Sequence, residues 1–310
     1  MGNPVEEILS EYSMMVIDGA MATELEAHGC YINDALWSAK VLLENPEIIK
    51  AVHRDYLQAG ADCIITSSYQ ATLEGFQKKG LSAERAAGLI RLSVQLAREA
   101  RDEFWLVHKN SKRPRPLVAA SVGPYGAFLA DGSEYRGNYK LDKQGLKVFH
   151  RQRLELLASE QPDLFACETI PCLDEAKALV ELLADYPDNY AWISFTCCDE
   201  THISDGTLFA DCAAWLDRQE QVAAIGLNCT APQYVESLIR EAQKATDKPI
   251  IVYPNSGENY DPVTKTWSGA SKDFCEYPSK WLAAGAKLIG GCCRTNPSHI
   301  KEIAALRQKV

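Results

Sequence analysis

No apolar run in this sequence approaches the ~20 residues that a membrane-spanning helix needs. A helical membrane anchor is therefore not expected. Basic residues are in deficit. Lys and Arg number 32 against 42 Asp and Glu, a net charge of −10, and no Lys/Arg block is long enough to track a phosphate backbone. Nucleic acid is accordingly excluded as an expected partner. The first stretch, Met1 to Tyr12, is acidic and lacks the basic-then-apolar pattern of an export signal. The expected location is the cytoplasm. Linker-like and low-complexity segments are also missing, so residues 1–310 are read as one domain, a size that α/β barrels reach. Histidine is scarce where it would matter. His28, His53, His108, His150, His202 and His299 all fall away from the ends of the strand-like runs, so neither a histidine ligand nor a histidine base is indicated.

What the chain does have is cysteine and a repeating pattern. Apolar residues make up 46% and charged residues 24%, enough to bury a sizeable core. The eleven cysteines are an odd number in a long chain without an export signal. Reduced thiols are the default there, and clustered thiols become metal or catalytic candidates.

Short apolar runs alternate with longer amphipathic segments. The runs are 14–18, 63–66, 117–121, 164–167, 191–196, 223–228, 250–253 and 287–290. Helical patterns follow at 46–59, 82–105, 142–158, 174–184, 211–218 and 233–245, with a looser stretch ending at Ala284 and a closing segment at 297–309. Pro46 suits a first helical turn, and Ser82 suits an N-cap. Runs that are apolar on both sides fit parallel strands covered by helices. Eight such units predict a (β/α)8 barrel rather than an open sheet. The long connections 19–45 and 122–141 read as loops over one barrel end.

Function in such a barrel sits at the C-terminal strand ends. Cys229 ends the sixth run, and the adjacent Cys292 and Cys293 end the eighth after Gly290-Gly291. Three soft thiolates on one rim match a zinc site with an open position. Neighbours in a strand point to opposite faces, so both cysteines of the pair converge only if the backbone leaves the strand. Gly290 and Gly291 are expected to supply that freedom. Two alternatives stay open from the residues alone. Cysteines also serve as small buried hydrophobes, and Cys197-Cys198 is a competing strand-end pair without preceding glycines. Cys30, Cys63, Cys167, Cys172, Cys212 and Cys275 are assigned to packing or surface.

The phrases Asp18-Gly19-Ala20-Met21-Ala22-Thr23-Glu24-Leu25, Gly226-Leu227-Asn228-Cys229 and Gly290-Gly291-Cys292-Cys293-Arg294-Thr295 resemble the homocysteine S-methyltransferase family. The resemblance runs from about Met14 to Ile303. Phrases such as Leu36-Trp37-Ser38, Asp131-Gly132-Ser133-Glu134-Tyr135-Arg136-Gly137 and Tyr253-Pro254-Asn255-Ser256-Gly257-Glu258 look most like its S-methylmethionine-using bacterial and plant branch. The resemblance implies one Zn2+ on Cys229, Cys292 and Cys293. It implies that Asp18 and Glu168 bind the homocysteine amino group, and that amides around Gly19, Ala20 and Met21 bind its carboxylate. Tyr69 and Trp37 would face the donor cation, which suits an aromatic ring, and Asn228 would hold substrate or orient a ligand. The ordinary readings beside these are helix-capping or ion-paired carboxylates and core packing for Trp37.

A free thiol has a pKa near ~8.5, and metal coordination deprotonates it. The expected reaction is methyl transfer from S-methylmethionine, with S-adenosylmethionine as the alternative donor, to homocysteine, giving methionine. Thr169 stands where the betaine-using branch has Tyr, which speaks against betaine. The competing functions are methylation of another thiol or selenol at the same site, and a non-catalytic zinc- or thiol-binding protein. A monomer is the expected state.

Overall fold

All eight apolar runs form strands in the computed structural model, which describes residues 2–31, 38–261, 266–269 and 274–310. They are β1 (Met15–Val16), β2 (Cys63–Ile65), β3 (Leu117–Val122), β4 (Leu164–Ile170), β5 (Ala191–Phe195), β6 (Val222–Asn228), β7 (Ile250–Tyr253) and β8 (Ala286–Ile289). Neighbours pair in parallel in the order β1-β8-β7-β6-β5-β4-β3-β2. A single parallel bridge, Ile17 to Cys63, closes the ring between β1 and β2. The chain is thus a (β/α)8 barrel.

Alternation along each strand explains why the runs are apolar throughout. Met15, Ile17, Cys63, Ala119, Ala166, Trp192, Ile251 and Leu288 share one buried cluster, the barrel interior. Their neighbours Val16, Ile64, Val118, Ala120, Phe165, Ile193, Val252 and Ile289 belong to the larger cluster formed with the helices. A strand with both faces buried has no polar side to show.

The expected helices form with small boundary shifts. Pro46–Ala59 carries proline in its first turn, and Ala83–His108 is capped by Ser82, whose hydroxyl accepts from the Arg85 amide at 3.2 Å. The closing helix is shorter than expected, Pro297–Ala304. The two long connections are not bare loops. The first contains helices Met21–Ala27 and Ser38–Glu44; the second contains Tyr125–Leu129 and a 3-10 turn, Ser133–Tyr135. The stretch after β7 contains two short antiparallel strands, Asn259–Asp261 against Thr266–Ser268. The acidic N-terminal stretch forms a helix, Pro4–Glu11, capped by the Asn3 side chain. Its Val5 and Ile8, with Tyr12, join the interior cluster and plug the barrel at the end where the strands begin.

Candidate metal centre

β6 ends at Asn228, and Cys229 adopts a left-handed backbone with φ 47°. β8 ends at Ile289, four residues before Cys293. The Cys229, Cys292 and Cys293 sulfurs lie within 4.8 Å of one another, and those of Cys292 and Cys293 are 4.0 Å apart. Sulfurs at a tetrahedral zinc, each about 2.3 Å from the metal, stand about 3.8 Å apart. The spacing and the soft donor set therefore fit that ion.

Gly290 and Gly291 act differently from the expectation. Neither has a positive φ. They are required by close packing: a Cβ on Gly290 would stand 2.7 Å from the Ile17 Cβ, and one on Gly291 would stand 2.4 Å from the Thr295 hydroxyl. The pair of cysteines is instead held by its carbonyl and amide partners. The Cys292 amide donates to the Pro254 carbonyl at 2.7 Å, and the Cys293 carbonyl accepts from the Ser256 amide at 3.0 Å. The left-handed residue of this turn is Arg294, φ 68°, whose guanidinium pairs with Glu258 at 2.6 Å.

The thiols behave as one electrostatic unit. Hydrogen bonding with Cys292 and Cys293 pushes the Cys229 thiol up, while hydrogen bonds from Cys229 and Cys292 draw Cys293 well below the ordinary thiol range. Against a hydrogen bond with Cys229, the Cys292 thiol is pushed up as well, by its hydrogen bond to Cys293 and by burial, so before any cation is considered the cluster favours one thiolate, held by the two neighbouring thiols.

Asn228 organises the space beside the sulfurs. Its Oδ1 accepts from the Thr169 amide at 2.7 Å and the Ser194 hydroxyl at 2.8 Å. Its Nδ2 donates to the Thr169 hydroxyl at 2.7 Å and points toward the Cys292 sulfur at 4.0 Å. Thr169, itself left-handed at φ 62°, donates its hydroxyl toward the Cys229 sulfur at 3.8 Å. Ser194 continues to the Tyr253 hydroxyl at 2.6 Å, and Trp192 donates to the same oxygen at 3.0 Å.

Two buried carboxylates face this cluster. Burial pushes Asp18 well above the usual carboxylate range, and repulsion from Glu168 and Cys292 adds to it, although its Oδ2 accepts from the Ile65 amide at 2.8 Å. Burial pushes Glu168 up to about 8, against hydrogen bonds from Ser121 and Tyr253. Two carboxylates beside thiolates form a pocket whose ionised state calls for a cation. Behind Asp18, the Ala20 amide donates to the Thr295 hydroxyl at 3.2 Å and the Tyr56 hydroxyl donates to the Ala20 carbonyl at 3.0 Å. Gly19 and Met21 flank Ala20, Met21 opening the helix Met21–Ala27.

The Tyr69 side chain is half-buried, and its hydroxyl meets Thr169 close to Cys229 and Glu134. Trp37 lies outside the described residues. Cys197 and Cys198 are not part of the sulfur cluster; the Cys198 sulfur instead faces the carbonyls of His202 and Ile203. Cys63, Cys167, Cys172 and Cys212 are buried as packing residues, whereas Cys30 is half-buried and Cys275 exposed.

Several site residues escaped the sequence reading. Thr169 was read only as an argument about the donor. Ser121, Ser194 and Tyr253 lie inside the strands. Tyr135, near Cys229 and Cys293, is carried over the mouth by the 3-10 turn. Its signal was the phrase at 131–137, which carried the resemblance but no assigned role. Glu24, His28 and Asp55 form a second group of metal-capable atoms, with His28 paired to Asp55 at 2.7 Å on the surface. No helix among the described residues is long and apolar enough to cross a membrane.

Residues 15–307 match the family model described as Homocysteine S-methyltransferase. The chain is 60% identical over 306 residues to the homocysteine S-methyltransferase YbgG of Bacillus subtilis (strain 168), covering 98% of this chain and 97% of that one. It is 51% identical over 301 residues to homocysteine S-methyltransferase 1 of Arabidopsis thaliana, covering 93% and 92% of the two chains. Its fold superposes on the metallated form of the homocysteine methyltransferase MmuM from Escherichia coli with a TM-score of 0.89 at 47% identity, over 98% of this chain and 99% of that one.

Proposed function

The chain belongs to the homocysteine S-methyltransferase family, and on that premise we propose that it moves a methyl group from S-methylmethionine to homocysteine at a zinc centre. A single Zn2+ per chain would be held by Cys229, Cys292 and Cys293, and the whole chain, 1–310, would act as one homocysteine-binding barrel. The observation that carries this reading is the convergence of three sulfurs beside two buried carboxylates on one rim. Zinc bound there would hold the homocysteine sulfur deprotonated and electron-rich at neutral pH.

The remaining work falls to the chain's own residues. Asp18 and Glu168 would pair with the homocysteine ammonium, which removes the cost of burying both carboxylates unpaired. The Ala20 amide is already donated to Thr295, so the homocysteine carboxylate would lie against the amides of Gly19 and Met21. Asn228 would keep Thr169 and the two cysteine-bearing turns in register. Tyr69 would face the positive sulfonium. The acceptor sulfur attacks the donor methyl carbon in line. One carbon–sulfur bond forms as the other breaks, and its electron pair neutralises the sulfonium. Acceptor and donor both leave as methionine, and holding them in one pocket supplies much of the rate.

Parallel assays of homocysteine with S-methylmethionine, S-adenosylmethionine or betaine, each scored for methionine by mass spectrometry, test the donor. S-methylmethionine should be turned over fastest and betaine not at all. Turnover driven mainly by betaine, or no methionine from either sulfonium, would overturn the reading.

A further inference from the structure

We infer that Arg153, held by His150 and Glu175, is a positioning residue for Tyr69 and so sets where the methyl donor sits. This rests on the donor-side reading of Tyr69. Arg153 lies on the helix Lys143–Ala158, away from the metal centre in sequence, yet it is only 3% exposed. Its Nη2 donates to the Gly123 carbonyl at 2.5 Å and its Nη1 to the Tyr69 carbonyl at 3.3 Å. Those carbonyls belong to the turns that follow β3 and β2, where the strand ladders have ended. One planar guanidinium thus ties two rim turns together.

The cation is itself held in place. Arg153 Nη2 is 2.7 Å from His150 Nδ1, and His150 Nε2 is 2.8 Å from Glu175 Oε1, with His150 and Glu175 fully buried. A guanidinium only donates, so Nδ1 must accept and the imidazole proton sits on Nε2. His150 is therefore neutral and passes the Glu175 charge to Arg153 through two hydrogen bonds. Burial lowers the arginine to about 10, which leaves it a cation at neutral pH. Glu175 Oε1 also accepts from the Tyr125 amide at 2.6 Å, so the same carboxylate anchors the turn after β3. The Tyr69 ring then has one seat. A Cβ on Gly123 would lie 2.7 Å from its ring carbons and 2.5 Å from its carbonyl oxygen. At the far end of the ring the hydroxyl meets Thr169.

A merely structural arginine would affect stability without favouring one substrate. A positioning arginine should act on the donor. Misplacing a reacting group by about 1 Å costs up to roughly a hundredfold. We therefore expect Arg153→Met to raise the KM for S-methylmethionine at least tenfold, with homocysteine KM and bound zinc within twofold of the parent. Arg153→Lys, which keeps one donor, should recover part of the loss. Glu175→Gln and Gly123→Ala should shift donor KM in the same direction, and they decide the matter if Arg153→Met does not fold. An activity-free arm is nitration of tyrosines by tetranitromethane, mapped by mass spectrometry. Tyr69, half-buried and fixed by its ring contacts in the parent, should become several times more reactive in the folded variants. Unchanged donor KM and unchanged Tyr69 reactivity in those variants would overturn the inference. If the parent turns over no sulfonium while Tyr69 reactivity still rises in the variants, the positioning stands and the donor assignment fails instead.

Discussion

Asn228 shows how one side chain joins chemistry to folding. It sits beside a cysteine in the sequence, so a supporting role was legible there. Its partners were not, because Thr169 and Ser194 come from other strands and Thr169 owes its direction to a left-handed backbone. Replacing Asn228 by Ala leaves the buried Thr169 amide short of an acceptor, a loss of about 1–3 kcal/mol, while the Ser194 hydroxyl can turn to the Tyr253 hydroxyl. Chemical denaturation should register that destabilisation, and turnover should fall at least tenfold. The cysteines give a sharper expectation. Cys229→Ala or Cys292→Ala leaves two protein thiolates where three are needed, so metal analysis should find little bound zinc and methionine formation should vanish. Full activity in either variant would rule out the site. The pairing of Cys292 with Cys293 was legible, but its cause was only half so. Gly290 and Gly291 are needed for space against Ile17 and Thr295, not for unusual dihedral angles.

At the scale of single elements, the strands and main helices were legible because periodicity is a local property. The short helices in the rim connections were not. Segments such as Tyr125–Leu129 or Ser133–Tyr135 are too short to print a 3.6-residue period, and tertiary contacts stabilise them. The N-terminal helix was missed for the same reason. The helix Pro46–Ala59 carries a feature that periodicity cannot reveal, the fully buried His53. Among the described residues neither ring nitrogen has a hydrogen-bond partner, and burial lowers its pKa from 6.5 to about 3. The folded state therefore keeps the ring neutral while the unfolded chain takes up a proton below pH 6.5. Its contribution to stability is whole above 6.5 and drains away as the pH falls toward 3. At pH 5 the loss should be roughly 2 kcal/mol. Urea unfolding of the parent and His53→Leu at pH 7 and pH 5 isolates it: the variant should lose less on acidification, and equal losses would refute the assignment.

For the whole molecule, ring closure is the step that brings the rim together. β1 and β2 share one bridge, and the seam is reinforced at its lower end by Asp62. That carboxylate is fully buried, accepts from the Val16 amide at 3.0 Å and pairs with Arg307, with Arg113 at 3.9 Å. Arg307→Met should cost roughly 3 kcal/mol, the low end for breaking a buried pair, because Arg113 remains. Asp62→Asn in the same background should return part of it in denaturation experiments. Eight strand-then-helix units made the barrel legible, and barrel logic put Cys229, Cys292, Asp18 and Glu168 on one rim before any coordinates. What no local pattern carried was the cross-strand network that fixes their distances. The central claim is that three cysteines leave one position for the sulfur of homocysteine. X-ray absorption at the zinc edge of zinc-loaded protein, recorded without and with homocysteine, tests it most directly. The sulfur neighbours of the zinc should rise from three to four when homocysteine is added; a count that stays at three would contradict the claim.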